Sequence, residues 1–78
     1  MSKLPSLKPK ELLSIFLKLG WTISRQKGSH IQLKHNSKPG FRTTIPYHTY
    51  DLAPGTINSI LKQAGVTKIE FEEMLKQS

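Results

Sequence analysis

Three short runs in which apolar and polar residues alternate, 21–25, 30–35 and 41–45, stand in a row between segments of helical period. No other feature narrows the possible folds as far. Alternation places successive side chains on opposite faces of a strand. The gaps between the runs are too short for the crossover of a dozen or more residues that parallel neighbours require. The runs therefore predict an antiparallel meander with one apolar face.

Parity constrains the first turn. A two-residue loop of Lys27-Gly28 would pair Ile23 with Gln32 and mix the faces. A three-residue loop, Gln26-Lys27-Gly28, pairs Ile23 with Ile31 and Trp21 with Leu33, and the hydrophobic pattern sets register. The expectation is the three-residue loop, with Gly28 in the left-handed conformation in a geometric role. In that register Trp21, Ile23, Ile31, Leu33, Phe41, Thr43 and Ile45 face the helices. Thr22, Ser24, His30, Gln32, Lys34, Arg42 and Thr44 face the other way. Residues 36–40, Asn-Ser-Lys-Pro-Gly, are a turn-rich hairpin loop.

Helices flank the strands. Pro9 suits a first helical position, Glu11 lies near the positive end of the helix dipole, and Gly20 is a stop signal. Leu12, Phe16 and Leu19 recur at helical spacing, and Leu13, Ile15 and Leu17 widen the apolar arc beyond what one sheet contact needs. The arc calls for burial under a later helix or for a partner. Pro54 opens a second helix carrying Ile57, Ile60, Leu61 and Ala64, ended by Gly65. Thr67 and Glu70 have the spacing of a capping box, with Val66 and Phe71 as a hydrophobic staple, before a short third helix. The fold class is α+β, in the order α-β-β-β-α-α, with helices on one face of the sheet. Residues 9–78 read as a single domain and residues 1–8 as a loose leader.

Charge narrows the partners. The chain carries a formal net charge of +7, with nine Lys/Arg and one acidic residue in positions 1–50, against three Lys and four acidic residues in 51–78. A basic body with a near-neutral tail favours a polyanion, nucleic acid first. There is no cysteine, hence no disulfide, thiolate nucleophile or Cys-ligated zinc. No apolar run approaches a membrane span or a signal-peptide core, and the expected location is the cytoplasm.

The candidate chemistry centres on Gly28-Ser29-His30. A free imidazole titrates near neutrality, which suits proton transfer. RNA brings its own nucleophile, the 2′-hydroxyl, so an enzyme need only move protons and stabilise charge. The alternative is a histidine that contacts phosphate without catalysis. Along the strand Gln32 is roughly 7 Å from His30 and Lys34 roughly 13 Å, and the chosen register puts Ser24 opposite at about 5 Å. Lys34 and Arg42 are backbone-positioning cations, while Arg25 and Lys27 reach the site if their side chains fold back. His35 falls on the apolar side, and His48 approaches only if its loop folds back. The three histidines lack paired metal-ligand spacing and no cofactor is indicated. Tyr47 and Tyr50 are better placed to stack bases than Trp21 or Phe41, whose parity assigns them to the core.

Several runs taken in order resemble the HicA toxins over about residues 8–75. They are Lys18-Leu19-Gly20-Trp21, Arg25 through His30, Thr44-Ile45-Pro46, Leu52 with Pro54-Gly55-Thr56-Ile57, and Ser59 through Gly65. The resemblance implies a double-stranded-RNA-binding-like fold and an mRNA interferase, an endoribonuclease of a bacterial toxin–antitoxin pair. It matches His30 to the family's catalytic histidine and implies a HicB-type antitoxin that covers the site. Independent of the resemblance, the expected RNA contacts on the strands are Ser24, Arg25, Lys27, Gln32, Lys34 and Arg42. The loop 36–40 and the residues before Pro9 depart from the family's usual shape. Two rival functions stand beside this one: a non-catalytic RNA-binding module of the same fold, and a DNA-binding domain reading bases with Asn58, Lys62 and Gln63 of the second helix.

Overall fold

The computed structural model describes residues 6–77. Helix α1 (Pro9–Lys18) leads into strands β1 (Trp21–Lys27), β2 (His30–His35) and β3 (Arg42–Pro46), followed by helices α2 (Pro54–Ala64) and α3 (Lys68–Gln77). The strands form one antiparallel sheet in the order β1-β2-β3. This is the expected α+β meander.

Local chemistry sets the helix ends. Pro9 opens α1, and the Lys8 N–H donates to Glu11 Oε1 at 3.1 Å. Helix α2 stops because Gly65 turns left-handed, at φ 69° and ψ 24°. At α3 the Thr67 N–H donates to Glu70 Oε1 (3.2 Å) and the Glu70 N–H to Thr67 Oγ1 (3.1 Å), a reciprocal capping box. Val66 and Phe71 beside it are both buried.

Among the described residues, only one face of the sheet is covered. Trp21, Ile31, Leu33, Thr43 and Ile45 are buried with Leu12, Ile15 and Phe16 of α1, Ile57, Ile60, Leu61 and Ala64 of α2, and Phe71 of α3. The Phe16 and Trp21 rings meet at 5.5 Å. The Thr43 hydroxyl lies 3.3 Å from the Ile60 carbonyl and 3.4 Å from Gln63 Oε1, so this buried donor is satisfied. His35 ends β2 with its ring edge-on to Trp21 at 5.3 Å. Its Nδ1 accepts from the Ser37 N–H (3.1 Å), which leaves the proton on Nε2 to donate to the Leu19 carbonyl (3.0 Å). The α1 arc is divided: Leu12, Ile15 and Phe16 are buried, Leu13 and Leu19 pack partly against the core, and Leu17 is 46% exposed.

The structure corrects four expectations. The first turn is the two-residue Gly28-Ser29, with Lys27 paired to His30, not the three-residue loop. A Gly-first turn, with Gly28 at φ 56°, matches the right-handed twist of the flanking strands without help from a third residue. Ile23 is 46% exposed because β1 is an edge strand and the helices leave that part of it uncovered. Phe41 precedes β3 and is also 46% exposed, its ring lying against Gly65. The end of the expected leader is folded: Leu7 is buried and bridges to Leu52, whose N–H donates to the Leu7 carbonyl at 2.6 Å. Lys8 also pairs with Asp51 at 3.4 Å. Residues 1–5 of that leader lie outside the described residues.

Candidate active site

The site begins with an irregularity in β1. Ile23 pairs with Leu33 and Arg25 with Gln32, so Ser24 is an extra residue, a β-bulge. One inserted residue reverses the alternation of everything beyond it. Counted from Trp21, strict alternation would send Arg25 and Lys27 to the helix side. The bulge brings both onto the face of His30, so no folding back of their side chains is required.

Three cross-strand rungs build that outer face. Lys27, His30 and Pro46 form the rung beside the turn, Arg25, Gln32 and Thr44 the next, and Thr22, Lys34 and Arg42 the third. Arg25, Lys27, His30, Gln32 and Thr44 line a shallow depression of about 500 Å³. All are exposed except the half-buried Thr44. Residues 12–50 contain no Asp or Glu, so nothing acidic on these strands offsets the cations. An open cationic face with one imidazole suits an extended polyanion better than an enclosed small molecule.

The other candidates fall into place around it. Lys27, not Ser24, is opposite His30, because the turn is one residue tighter than parity alone suggests. Ser24 Oγ instead donates to the Gln32 carbonyl at 3.5 Å. Lys34 and Arg42 face each other at the far end of the sheet, outside the depression. Gly28 turns the chain immediately before His30. The His48 ring lies 5.3 Å from Tyr50, and neither residue lines the depression. Trp21 is buried and offers no face to a base. Thr44 is the lining residue that sequence reasoning did not single out. Its place on the polar face was visible, and its pairing with Gln32 follows once β2 and β3 are in register.

Among the described residues no three His, Asp or Glu side chains gather as a metal-ligand set, and no helix is long and apolar enough to cross a membrane. Of the side chains that α2 would offer a DNA duplex, Gln63 is engaged with Thr43 and Asn58 is half-buried.

Fold and site together define a small basic α+β domain whose bare sheet face presents a single histidine among cations. The family model described as the HicA toxin of bacterial toxin–antitoxin systems matches residues 9–66, and the chain belongs to that family. No curated protein matches the chain.

Proposed function

We propose that the protein is a toxin whose activity is cleavage of mRNA, with His30 as the proton-transfer group and a HicB-type antitoxin as the neutralising partner. The observation that carries this reading is the bulge at Ser24, which gathers Arg25 and Lys27 around the His30 imidazole. Membership of a toxin family supports it.

In the proposed reaction the imidazole takes the proton from a ribose 2′-hydroxyl. The 2′-oxygen attacks the adjacent phosphorus and the bond from phosphorus to the 5′-oxygen breaks. The imidazolium returns its proton to that leaving oxygen. The products are a 2′,3′-cyclic phosphate and a 5′-hydroxyl. Arg25 and Lys27 hold the phosphate oxygens as negative charge builds on them, the role that fixed cations play in phosphoryl chemistry. Gln32 and Thr44 supply neutral hydrogen-bonding groups, and Ser24, Lys34 and Arg42 contact the strand farther out. The residues present can supply every proton and charge in this sequence, so no metal is invoked. The reaction is placed in the cytoplasm, where mRNA is found. The antitoxin covers the basic face with an acidic surface.

One observation favours a second reading, a non-catalytic RNA-binding module. Among the described residues no side chain hydrogen-bonds the His30 ring to hold it in one orientation. Cleavage of a labelled single-stranded RNA in excess EDTA decides between the two. The expected result is cutting by the wild type to a cyclic-phosphate end, and a loss of about 10²- to 10⁴-fold in His30→Ala, the range of a general acid/base. His30 is exposed, so its truncation leaves the core intact. Folded wild-type protein that binds the RNA and leaves it whole overturns the enzyme reading.

A further inference from the structure

We infer that Lys34 and Arg42 form a second anion subsite, which holds a phosphate of the RNA on one side only of the bond to be cut. This rests on the RNA reading above and gives it a direction. Three observations lead to it. Lys34 and Arg42 are register partners on the bare face, and like charges directly opposite on a sheet destabilise it. Both are exposed, neither has an ion-pair partner among the described residues, and residues 12–50 offer no carboxylate to compensate them. A bound oxyanion removes that repulsion.

The second observation is distance. Lys34 is four residues from His30 along β2, roughly 13 Å, which is too far to serve the same phosphate. It must meet another one, farther along the strand. Between the two positions lies the rung of Arg25, Gln32 and Thr44, where the intervening nucleotide passes.

The third is asymmetry. On its other side His30 adjoins Pro46, and the Tyr47 N–H donates to the Ser29 carbonyl, so the segment after β3 flanks the turn. Residues 43–61 contain no Lys or Arg and include Asp51. Lys8 meets that segment but is paired with Asp51, so among the described residues the unpaired cations of the sheet continue from His30 toward the loop 36–40.

The test uses RNA oligonucleotides that are 2′-O-methylated except at one mapped cleavage point, shortened stepwise from the 5′ end or from the 3′ end. The expected result is a fall in kcat/KM of about tenfold on shortening from one end, the size of one charge-assisted contact. Shortening from the other end has little effect, and the length dependence disappears in a Lys34→Gln/Arg42→Gln double variant. Equal dependence on both ends, dependence on neither, or length dependence that survives in the double variant overturns the inference. Fully methylated oligonucleotides separate this outcome from failure of the enzyme reading. The salt slope of their binding should become shallower by about 0.7 in the double variant, the share of one phosphate on a single strand. That change without any cutting of unmodified RNA refutes catalysis and keeps the subsite. An unchanged slope refutes the subsite whether or not RNA is cut.

Discussion

Gly20 and Gly28 both take positive φ, 97° and 56°, and they answer to different constraints. A Cβ on Gly20 would lie 2.8 Å from His35 Nε2, the atom that donates to the Leu19 carbonyl. Gly20→Ala must strain the backbone and displace that ring together. It is expected to cost about 1–3 kcal/mol, the scale of a residue held outside its allowed backbone region. A lower urea midpoint at unchanged slope would show it, and a wild-type midpoint would refute the crowding. Nothing lies within 4 Å of a Cβ on Gly28, and asparagine tolerates the left-handed region. Gly28→Asn should therefore lower the midpoint less than Gly20→Ala does. Both glycines were legible in the sequence as punctuation, one after a helix and one in a hairpin. The contact between Gly20 and His35 was not legible, because it joins residues fifteen apart through the packing of a side chain.

At the scale of elements, helices were easier to read than sheet register. Pro54 and Gly65 bound α2 because each has a backbone preference that acts locally. Register depends instead on whether a strand is regular, and β1 is not. Assuming regularity, the only way to align Ile23 with an apolar partner was a three-residue loop. The chain keeps the Gly28-Ser29 turn and aligns Ile23 with Leu33 by inserting Ser24. The same insertion hid the site, since it decides which face carries Arg25. Two single-residue deletions test this directly. Removing Ser24 leaves Ile23 opposite Leu33 and Arg25 opposite Gln32 in an unbroken ladder, with the cations still beside His30. Removing Gln26 also restores an unbroken ladder, but it sends Arg25 to the helix side and puts Ser24 opposite Gln32. Both deletions should fold, as judged by cooperative unfolding. The Gln26 deletion should bind RNA about tenfold more weakly than the Ser24 deletion, the loss expected for one charge-assisted contact. Equal affinities would mean that Arg25 does not act from this face.

For the whole molecule, the relevant quantity is where the charge sits, not its total. The net +7 was plain from composition, but composition does not say which residues share a surface. Folding puts Arg25, Lys27, Lys34 and Arg42 on the one sheet face that no helix covers. Lys8, by contrast, is paired with Asp51. If Arg25 with Lys27 neutralises one phosphate and Lys34 with Arg42 a second, counterion release gives a slope of log K against log salt of about −1.4 for a single strand. Affinity should then fall by about sevenfold between 50 and 200 mM salt. A titration of single-stranded RNA at several salt concentrations measures this. A slope near −0.7 would confine the contact to one phosphate and dismiss the bare face as an RNA platform. A slope much steeper than about −1.4 would bring in further cations, of which Lys38 in the loop joining β2 and β3 is the nearest along the chain to Lys34 and Arg42. Charge reversal on the face separates these outcomes. Lys34→Glu with Arg42→Glu should flatten the slope by the one phosphate removed, about 0.7, whereas changes confined to α3 should leave it where it is.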